Sequence, residues 1–115
     1  VDDIHREGST DMVTKGLIVR LEARPGKEEE LAAFLASAVP LVEDEPETVA
    51  WFALRSDVAS FAIVDAFPDE AGRQAHLAGA VAVALTERAG ELLAAPPEIR
   101  QVDVLAAKLA ERDEP

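Results

Sequence analysis

Apolar and polar residues alternate with a period of two along several stretches of this chain, and recur at spacings of three and four between them. The alternation predicts strands and the longer spacing predicts helices. Val13 to Ala23 reads as the first strand, with Leu17, Val19 and Leu21 on one face and Ile18, Arg20 and Glu22 on the other. Arg24-Pro25-Gly26 ends it. A helix is expected from Lys27 to Val42, with Leu31, Phe34, Leu35, Ala38 and Val42 on its apolar side and a loosened turn at Pro40. After the acidic connector Glu43 to Glu47, strands are expected over Thr48 to Arg55 and Ser60 to Phe67, joined around Ser56-Asp57 as a hairpin. Pro68 stops the second of these, and Asp69 is placed to cap a short helix carrying His76. Gly79 separates that helix from one over Ala80 to Ala94, which Pro96-Pro97 terminates. Ile99 to Leu109 reads as the last strand.

Strand, helix, strand, strand, helix, strand is the split βαβ order of a ferredoxin-like α+β fold, a four-stranded antiparallel sheet with helices on one face. The strands carry large apolar residues on both faces: Phe61 and Ile63 against Val64, and Trp51 against Phe52 and Leu54. Helices on one face leave the other open, and an open apolar face is unusual for a soluble monomer. A homodimer with two sheets packed through that open face is therefore expected.

Composition narrows the chemistry. With 115 residues the chain makes one domain, expected over 12–109. Residues 1–11 read as a flexible leader or an appended remnant ahead of Met12, and 110–115 as a polar tail. A net charge of −12 disfavours nucleic acid as a partner. No stretch is apolar for long enough to predict a membrane helix, and the absence of cysteine excludes thiolate chemistry and suits a cytoplasmic location. The Glu28-Glu29-Glu30 run complements the start of a helix rather than forming a metal site, because consecutive helical residues point apart. There is no tyrosine and no asparagine, which removes two common hydrogen-bonding residues from any site.

Three motifs carry a family resemblance: VRLEARPGKEEELAAFL, FAIVDAFPDEAGRQAHL and the PPEI that leads into the last strand. Together they resemble the antibiotic biosynthesis monooxygenase family of the dimeric α+β barrel superfamily, over Met12 to Leu109. The resemblance implies a pocket between helices and sheet in each subunit. Some members oxygenate quinols or polycyclic phenols with molecular oxygen and neither metal nor flavin; others degrade haem. His76 falls on the family's helix histidine, Phe67 stands where many members have Trp, and Asp65 stands where an acidic residue often ends the third strand. The missing Asn and the Phe67 replacement argue against the haem-degrading branch.

A cofactor-free oxygenase needs a base, a dry pocket and a group that stabilises developing charge. His76 is the base by type. Asp65 shares a strand face with Phe61, Ile63 and Phe67, so its carboxylate needs a partner. It is placed to orient His76, to pair with Arg73 or to act as the base itself. Trp51, Phe67 and Phe61 are candidate walls for a small apolar or aromatic ligand, and Arg55 a candidate partner for an oxyanion. Each has a structural alternative: a helix-end histidine, an ion-paired aspartate, core aromatics and a solvated arginine. The functional expectation is thus a cofactor-independent monooxygenase using His76 and Asp65. The alternative is a non-catalytic binding or accessory dimer of the same fold.

Overall fold

The computed structural model describes residues 12–110; the expected leader and most of the expected tail lie outside the described residues. Strand β1 is Lys15–Glu22, followed by helices α1 (Glu28–Ala36) and α2 (Val39–Glu43). The hairpin β2 (Ala50–Asp57) and β3 (Ser60–Phe67) comes next, then helices α3 (Glu70–Leu77) and α4 (Ala80–Leu92) and strand β4 (Glu98–Asp103). The strands form one antiparallel sheet in the order β2-β3-β1-β4. This is the ferredoxin-like α+β arrangement expected from the pattern.

Period-two burial is clearest on β3, where Phe61, Ile63, Asp65 and Phe67 are buried and the residues between them half-buried. With Leu17, Val19 and Leu21 of β1 they form the helix-side face. Leu31 and Leu35 from α1 and Leu85 and Leu92 from α4 close over it. A smaller cluster of Ala38, Val42 and Val81 packs against Trp51. On the opposite face, Phe52, Val64 and Ile18 sit side by side across β2, β3 and β1. Phe52 and Leu54 there are 57% and 49% exposed.

Three sequence expectations are corrected. The helix expected over Lys27 to Val42 is two helices separated at Ser37 and Ala38. Pro40 falls in the first turn of α2, where its missing N–H leaves no helical bond unmade. The last strand ends at Asp103 rather than Leu109, because its neighbour β1 begins at Lys15, opposite Asp103. One further bond, from Val104 N to Thr14 O at 2.9 Å, completes that pairing. The second strand runs two residues beyond Arg55, through an irregularity between Arg55 and Asp57. Gly26, at φ 87°, takes the left-handed turn between β1 and α1.

Asp69 starts α3 as the sequence suggests, its carboxylate accepting the Gly72 N–H at 2.9 Å. Because α3 carries His76, this cap also fixes the site. Asp69→Ala should lower stability by about 1 kcal/mol, read as a lower urea midpoint with unchanged slope.

Candidate functional site

Three elements converge on His76. It sits in the last turn of α3, a helix end that favours a cation. Its Nδ1 lies 2.6 Å from Oε1 of Glu45, in the connector after α2, and its Nε2 lies 3.1 Å from Oδ2 of Asp65 on β3. Thr48 donates its hydroxyl to the same Glu45 oxygen at 2.7 Å. His76 is 7% exposed and Asp65 3%. The Phe67 ring is packed against the imidazole with centroids 5.3 Å apart. The connector lies close along α3. A side chain in place of Gly79 would put its Cβ 2.8 Å from Oε2 of Glu45.

The two carboxylates are not equivalent. Glu45 makes a short, well-formed hydrogen bond to the ring. Asp65 is at ion-pair distance, but the Nε2–H direction misses it, and neither of its oxygens has a hydrogen-bond partner. Burial pushes the Asp65 carboxyl above its ordinary value, and the adjacent imidazole offsets only part of that rise. For His76, burial would lower the pKa; the contacts with Asp65 and Glu45, and their charges, overcome it and hold the value above 6.5. The two acids thus favour the protonated imidazole against the burial that opposes it. Among the described residues no cluster of three or more His, Asp or Glu side chains is arranged to hold a metal ion.

A cleft of about 650 Å³ opens beside this centre. Glu45, Thr48 and Trp51 line it, with Val42, Val49 and Phe52 supplying apolar wall. His76 and Asp65 lie behind that wall rather than on it. Of the residues singled out from sequence, the structure gathers His76, Asp65 and Phe67, and places Trp51 directly across from Asp65 in the β2–β3 register. Arg55 and Phe61 stand apart, four residues along their strands, or about 13 Å. Arg55 bonds Glu29 at 2.8 Å and the Val58 carbonyl, and its guanidinium lies 4.9 Å from the Phe61 ring centroid. Arg73 does not meet Asp65. It donates to the Gly16 and Val102 carbonyls at 3.2 and 3.0 Å and pairs with Glu70, fastening α3 to β1 and β4. Glu45 escapes sequence reasoning because nothing separates it from its acidic neighbours in the connector. The one local signal is Thr48 three residues on, which bonds it.

Both buried groups give stability the same pH sense. A His76 pKa raised above 6.5 contributes fully below 6.5, and that contribution is lost as pH rises through the folded value. Asp65, raised from 3.8, contributes fully below 3.8 and likewise loses its contribution as pH rises through its folded value. Urea midpoints should therefore fall as pH rises above about 6.5, and His76→Gln should flatten the fall.

No family model and no curated protein sequence matches the chain significantly. Solved structures do. A protein of unknown function from Nitrosomonas europaea is 54% identical, with a TM-score of 0.86 over 89% of this chain and 99% of that one. Two proteins provisionally named antibiotic biosynthesis monooxygenases are each 18% identical. One, from Caulobacter crescentus, has a TM-score of 0.71 over 89% of this chain and 99% of its own. The other, from Nitrosomonas europaea, has a TM-score of 0.72 over 80% and 90%. The chain belongs to the family of the 54%-identical Nitrosomonas europaea protein, and its fold is that of the antibiotic biosynthesis monooxygenase-like proteins.

Proposed function

We propose that this chain is a cofactor-independent monooxygenase that oxygenates a small quinol-like or polycyclic phenolic compound, with the Glu45–His76–Asp65 centre taking the substrate's proton. The observation that carries the reading is a buried imidazole with an acid on each nitrogen, one of those acids facing a cleft. A planar ligand would lie in that cleft against Trp51. Loss of its acidic proton makes the ring carbon electron-rich enough to pass an electron to oxygen. Coupling of the organic radical with superoxide gives a peroxide anion at that carbon, and the proton taken by the centre returns to make it a hydroperoxide. The O–O bond then breaks as the carbon's remaining proton leaves, giving a carbonyl and water. One oxygen atom enters the product and the other leaves as water, so no further reductant is required. The protein's part is to move protons and keep the site dry.

The open sheet face supports a homodimer as the working unit. Phe52 and Leu54 are exposed there beside Val64 and Ile18, an apolar surface that a second sheet would cover. Phe52→Asp should shift the protein from dimer to monomer in sedimentation analysis.

One observation favours a second reading, a non-catalytic binding or accessory domain. His76 and Asp65 do not line the cleft, and their cluster knits the connector, α3 and β3 together. Oxygen uptake with a panel of quinols and hydroxylated anthracenes, with a metal chelator present, decides between the two. The oxygenase reading requires chelator-resistant uptake that falls ~100-fold in His76→Gln, once folding of the variant is verified by its thermal midpoint. Absence of uptake from the wild type, or uptake indifferent to the variant, supports the binding reading.

A further inference from the structure

The cleft beside the His76 centre is one-sided in charge. Its walls are mostly apolar, with Trp51 and Phe52 as the aromatic members and Leu109, from the segment after β4, forming part of the wall. Among its described lining residues the ionisable side chains are two carboxylates, Glu43 and Glu45, and no lysine, arginine or histidine accompanies them. Lys108, next to Leu109 in the chain, is exposed and does not line the cleft. Glu45 meets His76 and Thr48 through a single oxygen, Oε1, at 2.6 and 2.7 Å, and its Oε2 takes part in neither bond. An anion entering this space would give up water and find carboxylates, with no cationic side chain to compensate it. A cation gains twice, from the carboxylates and from the ring faces of Trp51 and Phe52. The net charge of −12 on the chain adds to that preference at longer range. At about 650 Å³ the cleft has the size of a small-molecule site.

We propose that the cleft binds an organic cation, an amine or quaternary ammonium group carried on an apolar body. The body lies against Trp51 and the apolar wall, and the charged head takes the side of Glu43 and Oε2 of Glu45. His76 and Thr48 already hold the Glu45 carboxylate in place, so the ligand does not have to order that acceptor. Glu43 is exposed and contributes its charge without being buried. Organic carboxylates and phosphates of the same shape are turned away, so the cleft discriminates by sign of charge rather than by size. The inference concerns what the cleft admits; it goes beyond the oxygenase reading and does not rest on it.

Trp51 is the one tryptophan of the chain and lines the cleft, so its fluorescence reports an occupant. Three compounds of nearly one shape test the proposal on the wild-type protein: phenylbutylammonium, phenylbutanol and phenylbutyrate. At low salt the ammonium should bind ~10-fold or more tightly than the carboxylate, with the alcohol between them. Added salt should narrow the gap. Glu43→Gln, at an exposed position, should narrow it about fivefold. Glu98→Gln, on β4 at the opposite edge of the sheet from β2, should leave it unchanged. That pair of variants separates a site from the general attraction of an acidic surface for cations. Equal affinity for the three compounds, tighter binding of the alcohol or the carboxylate, or no change in Trp51 emission with any of them overturns the proposal. So does a gap that Glu43→Gln leaves intact, or that Glu98→Gln narrows as much. Oxygen uptake is a separate readout. An ammonium preference without uptake keeps the site and removes the oxygenase, whereas uptake with quinols and no such preference does the reverse.

Discussion

Burial of His76 between two acids is the constraint to which the surrounding structure answers. A cation so far from water is tolerable only if its neighbours supply negative charge, and an acid so far from water only if a cation stands close. The requirement reaches into three elements. The connector must bring Glu45 over the end of α3, which the small Gly79 permits. The strand β3 must turn Asp65 inward among phenylalanines and isoleucine. Helix α3 must hold a fixed position over the sheet, which the Asp69 cap and the Arg73 bonds to two strand carbonyls secure. Removing one member leaves a buried charge uncompensated, and that costs far more than the net worth of the cluster itself.

The same arrangement divides labour between the carboxylates. Glu45 looks into the cleft and is well bonded, so it holds the imidazole in place. Asp65 is walled in and poorly bonded, and burial pushes its carboxyl above the ordinary value. The ring between them has an acid near each nitrogen, which differs from the free imidazole that residue type alone suggests for a general base.

Much of the fold was legible because periodicity reports burial directly. The β3 alternation, the Asp69 cap and the helix spacing of α4 all depend on local rules. What local rules miss is partnership across the sheet and between loops. The last strand ends where β1 stops offering bonds, a fact written in another segment of the chain. The break before α2 reflects Pro40 settling into a helix start instead of a helix interior. In the site, His76, Asp65 and Phe67 stood out as unusual residue types on known faces. Glu45 did not, because a glutamate in an acidic connector looks like a solvated charge until the loop is folded back on α3. The separation of Arg55 from His76 was likewise hidden, since a shared face says nothing about distance along it.

The hairpin register places the chemistry as much as any side chain does. Trp51 meets Asp65 only because β2 and β3 are aligned as they are, and their pairing irregularity is confined to the turn end, between Arg55 and Asp57. One extra residue inserted into β3 ahead of Asp65 would carry the carboxylate through the sheet, out of the helix layer and onto the face that presents Phe52 and Val64. The charged centre would then be lost with every one of its residues still present in the sequence. Insertions in this family should accordingly be tolerated at the turn, where the ladder already shifts, and excluded from the strand positions beyond it.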